Sequence, residues 1–192
     1  MTFRSLAPGF LIASPPLGDP NFDRTVVLLA VHNSDGALGF VVNRAAPLSL
    51  GELLVHAGYE LAHEDPSTVW VGGPVQPQSG WVVSDAPELE GEGVIAVGPR
   101  LRVSSTREAF DSLARDTDAV GDGGVRRLVL LGYSGWGPLQ LEAEIARGAW
   151  LPTPLDEEIL FDGEPSQRWE RAYALMGLTP GNMMSMRSGG EA

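Results

Sequence analysis

The run Gly132-Tyr133-Ser134-Gly135-Trp136 places a serine just after an apolar stretch and just before a helix signal. A strand, a serine on a turn and a helix could together present a nucleophile. A nucleophile elbow requires G-x-S-x-G, because glycines two before and two after the serine relieve crowding at a strained turn. The first glycine is present, but Trp136 stands where the second is needed. All three histidines, His32, His56 and His63, precede the serine, whereas the usual hydrolase order puts histidine last. The pattern favours a tight structural turn over a nucleophile. Trp136, between glycines, is expected to be partly exposed and to line a pocket or an interface.

The following helix, residues 139–147, carries a sharper signal. At about 100° per residue, Gln140, Glu144 and Arg147 share a polar face, while Leu139, Ala143, Ile145 and Ala146 fall on the opposite arc. Glu142 lies within that apolar arc. A buried carboxylate is costly unless paired and hydrogen-bonded, so Glu142 is expected to have a specific partner. Arg24 and His32 are the candidates. The pair would be either a structural ion pair or part of a site.

Other residues carry weaker chemistry. Asp19, before Pro20, reads as a turn cap. His32 at a strand end reads as an edge residue or a base. Asn43 and Arg44 could hold an anion or simply solvate a strand end. Gly72-Gly73-Pro74 could form a backbone nest but lacks dinucleotide-loop spacing. His56 and His63, with Glu64 and Asp65, lack the i, i+4 spacing of helical metal ligands. No metal and no cofactor is expected.

Composition removes further classes. The 192 residues include no cysteine and no lysine, so all thirteen basic residues are arginine. Disulfides, thiolate catalysis, a Walker A lysine and Schiff-base chemistry are excluded. The net charge is −12. Nucleic-acid affinity comes largely from neutralising phosphates, so direct DNA binding is disfavoured, as is an anionic membrane surface. No apolar run approaches the roughly 18 residues of a membrane helix. The apolar patch near the N-terminus is shorter than a signal-peptide core, so the expected compartment is the cytoplasm.

The elements that would position these residues are legible in outline. Strands are expected at residues 9–14, 25–31, 37–42, 68–71, 80–84, 94–97 and 127–133, with a hairpin loop at 32–36. Ser49 to Glu52 forms a capping box ahead of Leu50, Leu53, Leu54 and Ala57. Ser105 to Glu108 forms a second. A last helix opens at Pro165, presents Trp169, Ala172, Tyr173 and Met176 inward, and ends at Gly177. An acidic loop is expected at 116–124. Strands and helices do not alternate strictly, which favours α+β.

Four blocks carry a family resemblance: GFLIASPPLGDPNFDRTVVLLAVHNSDGALGFVVNR (9–44), VWVGGPVQPQSGWVVSD (69–85), LGYSGWGPLQLEAEIARGAWL (131–151) and RWERAYALMG (168–177). The chain resembles the YqgE/AlgH family of bacterial cytosolic proteins. Two departures stand out. Val31 occupies a position that is often acidic in the family, and Leu139 one that is often glycine. The resemblance implies an α+β fold with a largely antiparallel, barrel-like sheet core; one domain is expected over residues 1–178, and the Gly/Met/Ser-rich residues 179–192 read as a flexible tail. Some members carry the label of a transcriptional regulator. It implies no catalytic mechanism and no cofactor. The leading expectation is a non-enzymatic regulatory protein acting through a protein or small ligand. The competing one is a ligand-binding or hydrolase-like pocket near Asp19, Arg24, His32, Asn43, Ser134 and Glu142. A third is a homo-oligomer with a tryptophan interface.

Overall fold

Hydrogen-bond pairing of short apolar strands organises the chain, seen in a computed structural model that describes residues 4–15, 19–86, 89–116, 125–179 and 181. The class is α+β, with largely antiparallel strands, as expected. The residues cluster into two units. One comprises Met1–Asn43 with Ser134–Ala192, and the other Arg44–Tyr133.

In the first unit, β1 (Gly9–Ala13) lies antiparallel between β10 (Trp150–Pro154) and β2 (Val26–Asn33). β3 (Gly36–Val41) pairs with β2 and then with the end of β9 (Arg127–Trp136). All five residues of β1 and the first five of β2 are buried. This is why those runs do not alternate: both faces are covered. The expected hairpin loop is shorter than 32–36. His32 and Asn33 are strand residues, and Asn33 Oδ1 accepts the Asp35 amide at 2.8 Å to close the turn. Gly36 has φ 134°, and a Cβ there would lie 2.1 Å from the Trp136 carbonyl.

The described helices of this unit include α3 (Gln140–Ala146), α4 (Glu157–Phe161) and α5 (Arg168–Ala174), the last preceded by a 3₁₀ turn at Pro165–Gln167. The Trp169 indole and the Tyr173 hydroxyl both donate to the Ala13 carbonyl, at 2.9 and 3.2 Å. Arg168 is buried beside them and donates to the Val42 carbonyl. Its pKa is pushed down to about 10, first by burial and then by Arg171, so it stays protonated at neutral pH.

In the second unit, β6 (Val75–Ser84) pairs antiparallel with β9 and β8 (Leu101–Ser104), and β8 pairs with β7 (Val94–Val97). β5 (Thr68–Val71) runs parallel to β9 and pairs with β4 (Ala45–Ser49). Helices α1 (Leu50–His56) and α2 (Arg107–Asp116) supply Leu50, Leu54, Ala109 and Leu113 to a core with Val69, Val82 and Val129. The Ser49/Glu52 capping box forms in full. The second box does not. The chain enters α2 one residue later, where the Thr106 hydroxyl accepts the Ala109 amide at 3.4 Å. Among the described residues no helix is long and apolar enough to cross a membrane. Most of the expected 116–124 loop and most of the 179–192 tail lie outside the described residues.

Asp85 anchors the start of β9. Its carboxylate accepts the Arg126 amide and the Arg126 Nε–H, both at 2.7 Å. Burial raises its pKa, but the Arg126 hydrogen bonds and charge outweigh that and hold it below the ordinary 3.8. A depressed folded-state pKa contributes stability that is complete above the unfolded value and lost as pH falls through the folded one. Asp85→Asn is therefore expected to cost about 1–2 kcal/mol at neutral pH. In urea titrations the gap between variant and native protein should close as pH drops below about 4.

Candidate functional site

The residues singled out by chemistry fall mainly in the first unit. Arg44, whose carbonyl accepts the Val71 amide at 2.8 Å, belongs to the second, as do His56, His63 and the Gly72-Gly73-Pro74 turn.

His32 and Glu142 come together. The His32 ring is buried, and its Nε2 lies 3.2 Å from Glu142 Oε1. The other ring nitrogen, Nδ1, accepts the backbone amide of Leu6 at 3.0 Å. An N–H can only donate, so Nδ1 carries the lone pair and Nε2 carries the proton. The ring therefore donates to Glu142, and both nitrogens are engaged. The Glu142 side chain is 37 % exposed, so it is half-buried and solvated on one side.

Arg24 is not the partner of Glu142. Its guanidinium stacks 5.6 Å from the Trp169 ring centroid, and its backbone holds φ 51°. Asn43 fastens the same loop, accepting the Val26 amide and donating to the Arg24 carbonyl, each at 2.9 Å. Asp19 Oδ1 accepts the Asn21 amide at 2.8 Å and its carbonyl accepts that of Phe22, a turn of the expected kind. Asp19, Arg24 and Asn43 thus shape one connection between β1 and β2.

Ser134 does not sit on a turn. β9 runs on to Trp136, with Ser134 opposite Gly39 in register, and Ser134 is 1 % exposed. The turn comes later, at residues 137–139. Trp136 is 7 % exposed, which corrects the expectation that it is partly open. Its ring packs edge-on against Trp150 at 5.9 Å, and Phe22 stacks near both. The reason is continuation of the strand: pairing with β3 buries Trp136 in the core of Leu11, Val27, Val41 and Leu141.

The helical arc read from spacing is also corrected. Leu141 is the buried residue of α3, and Leu139 is 70 % exposed. Leu139 precedes the helix with φ 61°, so the helix is rotated relative to an arc that counts Leu139 as a regular turn. The residue missed by the spacing is Glu144. Its Oε2 accepts the indole N–H of Trp136 at 2.9 Å and that of Trp150 at 2.8 Å, while Oε1 accepts from Gln140 at 2.9 Å. A signal for it was present. Buried indole N–H groups need an acceptor, and Glu144 lies between the two tryptophans in sequence.

In the second unit, an open cleft of about 840 Å³ lies between α1 and residues 61–66, and His56 and His63 both line it. His56 Nδ1 donates to the Glu52 carbonyl at 2.6 Å. Among the described residues no group of three or more His, Asp or Glu side chains could hold a metal.

The AlgH-like family model matches residues 10–181. A UPF0301 protein of Anaeromyxobacter sp. (strain K) is 42 % identical over 194 residues, covering 97 % of this chain and 96 % of that protein. The UPF0301 protein of Myxococcus xanthus is 41 % identical, covering 96 % and 98 %. The solution structure of the AlgH protein from Pseudomonas aeruginosa superposes with a TM-score of 0.73 at 34 % identity, covering 96 % of this chain and 97 % of that one. A Corynebacterium diphtheriae protein shares the fold at 20 % identity, with a TM-score of 0.67.

Two substitutions test this arrangement. Glu144→Ala strands two buried indole N–H groups at about 1–3 kcal/mol each, a loss of about 2–5 kcal/mol in urea unfolding followed by tryptophan fluorescence. Glu144→Gln keeps an acceptor and should cost less. Leu139→Gly removes left-handed strain from an exposed side chain. It should raise the unfolding free energy read from urea titration by a net of about 0.5–1 kcal/mol after the entropy of the added glycine.

Proposed function

The chain belongs to the AlgH-like family, and on that premise we propose a non-enzymatic, cytoplasmic regulatory protein that influences transcription indirectly, through a bound protein or small ligand. The observation that carries this reading is the engagement of His32. Its Nδ1 holds the Leu6 amide and its Nε2 faces Glu142. A general base needs a free nitrogen within reach of the proton it abstracts. Ser134, the residue a hydrolase would use, lies buried within β9. The engaged His32 and the buried Ser134 support the regulatory reading over a hydrolase-like pocket. The charge of −12 weighs against direct DNA contact, and the cytoplasmic placement follows the family resemblance.

The test is transcript profiling of a host lacking the gene. Deletion should alter a reproducible set of transcripts. The native chain and a Ser134→Ala variant should both restore them, with no enrichment of the protein on the affected promoters. Loss of restoration by a stably folded Ser134→Ala variant, or an unchanged profile on deletion, contradicts the reading.

A further inference from the structure

The cleft beside α1 is built rather than incidental. The amides that open the helix are already bonded: Leu50 N–H to the Ser67 carbonyl at 2.8 Å and Gly51 N–H to the Asp65 carbonyl at 2.9 Å. Gly51 permits this approach, since a Cβ there would lie 2.9 Å from the Asp65 nitrogen. The helix and residues 61–66 are therefore held wall to wall by backbone contacts, independently of any ligand.

Its lining divides by chemistry. α1 turns Leu50 and Leu54 into the core and leaves Val55 58 % exposed in the cleft, near Leu61. Three carboxylates, Glu52, Glu64 and Asp65, share the lining, and no arginine does. Glu52 is fixed by the Ser49 amide at 2.7 Å, which holds its pKa below the ordinary carboxylate value, so it is ionised at neutral pH. An exposed aliphatic side chain that shares a cleft with three carboxyl side chains is complementary to an apolar anchor flanked by positive charge. The acidity of the whole chain would steer such a partner toward it.

We propose that this cleft docks a short basic segment of a partner protein, with an aliphatic side chain seated on Val55 and Leu61 and arginine or lysine facing Glu52 and Glu64. This rests on the regulatory reading above and supplies its protein contact. The chain has no lysine of its own.

The probe is a fluorescein-labelled peptide, Gly-Arg-Leu-Leu-Arg-Gly, with Gly-Glu-Leu-Leu-Glu-Gly as control, read by fluorescence polarisation. The native chain should bind the basic peptide and not the acidic one, with affinity falling as salt rises. Val55→Arg, on an exposed helix position, should weaken binding at least about tenfold, and Glu64→Gln by a smaller factor. Circular dichroism melting checks that both variants fold. No binding to the native chain, equal binding of both peptides, or unchanged affinity in Val55→Arg overturns the proposal. So does a concentration-dependent dimer that Val55→Arg abolishes, which would give the cleft to a second copy. In the deletion host, failure of Val55→Arg to restore transcripts that the native chain restores supports docking. Restoration by both removes the docking site and leaves the regulatory reading standing, whereas failure of the native chain itself removes that reading.

Discussion

Two tryptophan indoles share one carboxylate oxygen, and the first unit is organised around that fact. Trp136 ends β9, Trp150 begins β10, and Glu144 on α3 accepts from both. A buried indole N–H without a partner is costly, so the helix between the two strands can dock in only one rotation. That rotation sends Leu141 into the core and turns Leu139 out. It also settles where Glu142 lies. Residues two apart on a helix do not share a face, so Glu142 points away from the indoles and meets His32.

His32 carries the same logic to the N-terminal segment. Its Nδ1 lone pair holds the Leu6 amide, and Leu6 and Ala7 pack against the core that contains the tryptophans. The chain thereby links four separated stretches, around residues 6, 32, 136 and 144, through groups whose types suggest catalysis. Their hydrogen bonds tie those stretches together. Both His32 nitrogens and both Glu144 carboxylate oxygens have partners at hydrogen-bond distance, as a buried polar network needs in order to be stabilising.

Much of this was legible beforehand, for identifiable reasons. The apolar runs behind β1, β2, β3 and β9 stand out between turn residues, and the Ser49/Glu52 box marks α1 unambiguously. The spacing puts Glu142 on an apolar arc, whereas its side chain is 37 % exposed, so its contact with His32 does not arise from the burial that the arc implies. What was not legible has physical causes too. β10 contains Pro152 and Pro154, and β4 contains Pro47. Proline argues against a strand unless the strand is at an edge, and β10 ends its sheet order. α4 is a five-residue helix capped by Asp156, too short for its periodicity to show. Leu139 in a left-handed conformation breaks the regular 100° step on which the helical arc depended. Glycines flank Trp136 and suggest a turn, yet β9 runs on through it, and Gly36 of β3 permits the close approach, since a Cβ there would lie 2.1 Å from the Trp136 carbonyl.

The His32 ring, with Nδ1 accepting from Leu6 and Nε2 donating to Glu142, joins the N-terminal segment to α3. A long-range proton–nitrogen correlation spectrum of isotope-labelled protein reads this directly. It should show His32 as the Nε2–H tautomer, with Nδ1 shifted as a hydrogen-bond acceptor and the Nε2 proton slow to exchange with water. An Nδ1–H tautomer, or an imidazole proton exchanging as freely as that of an open site, would contradict it.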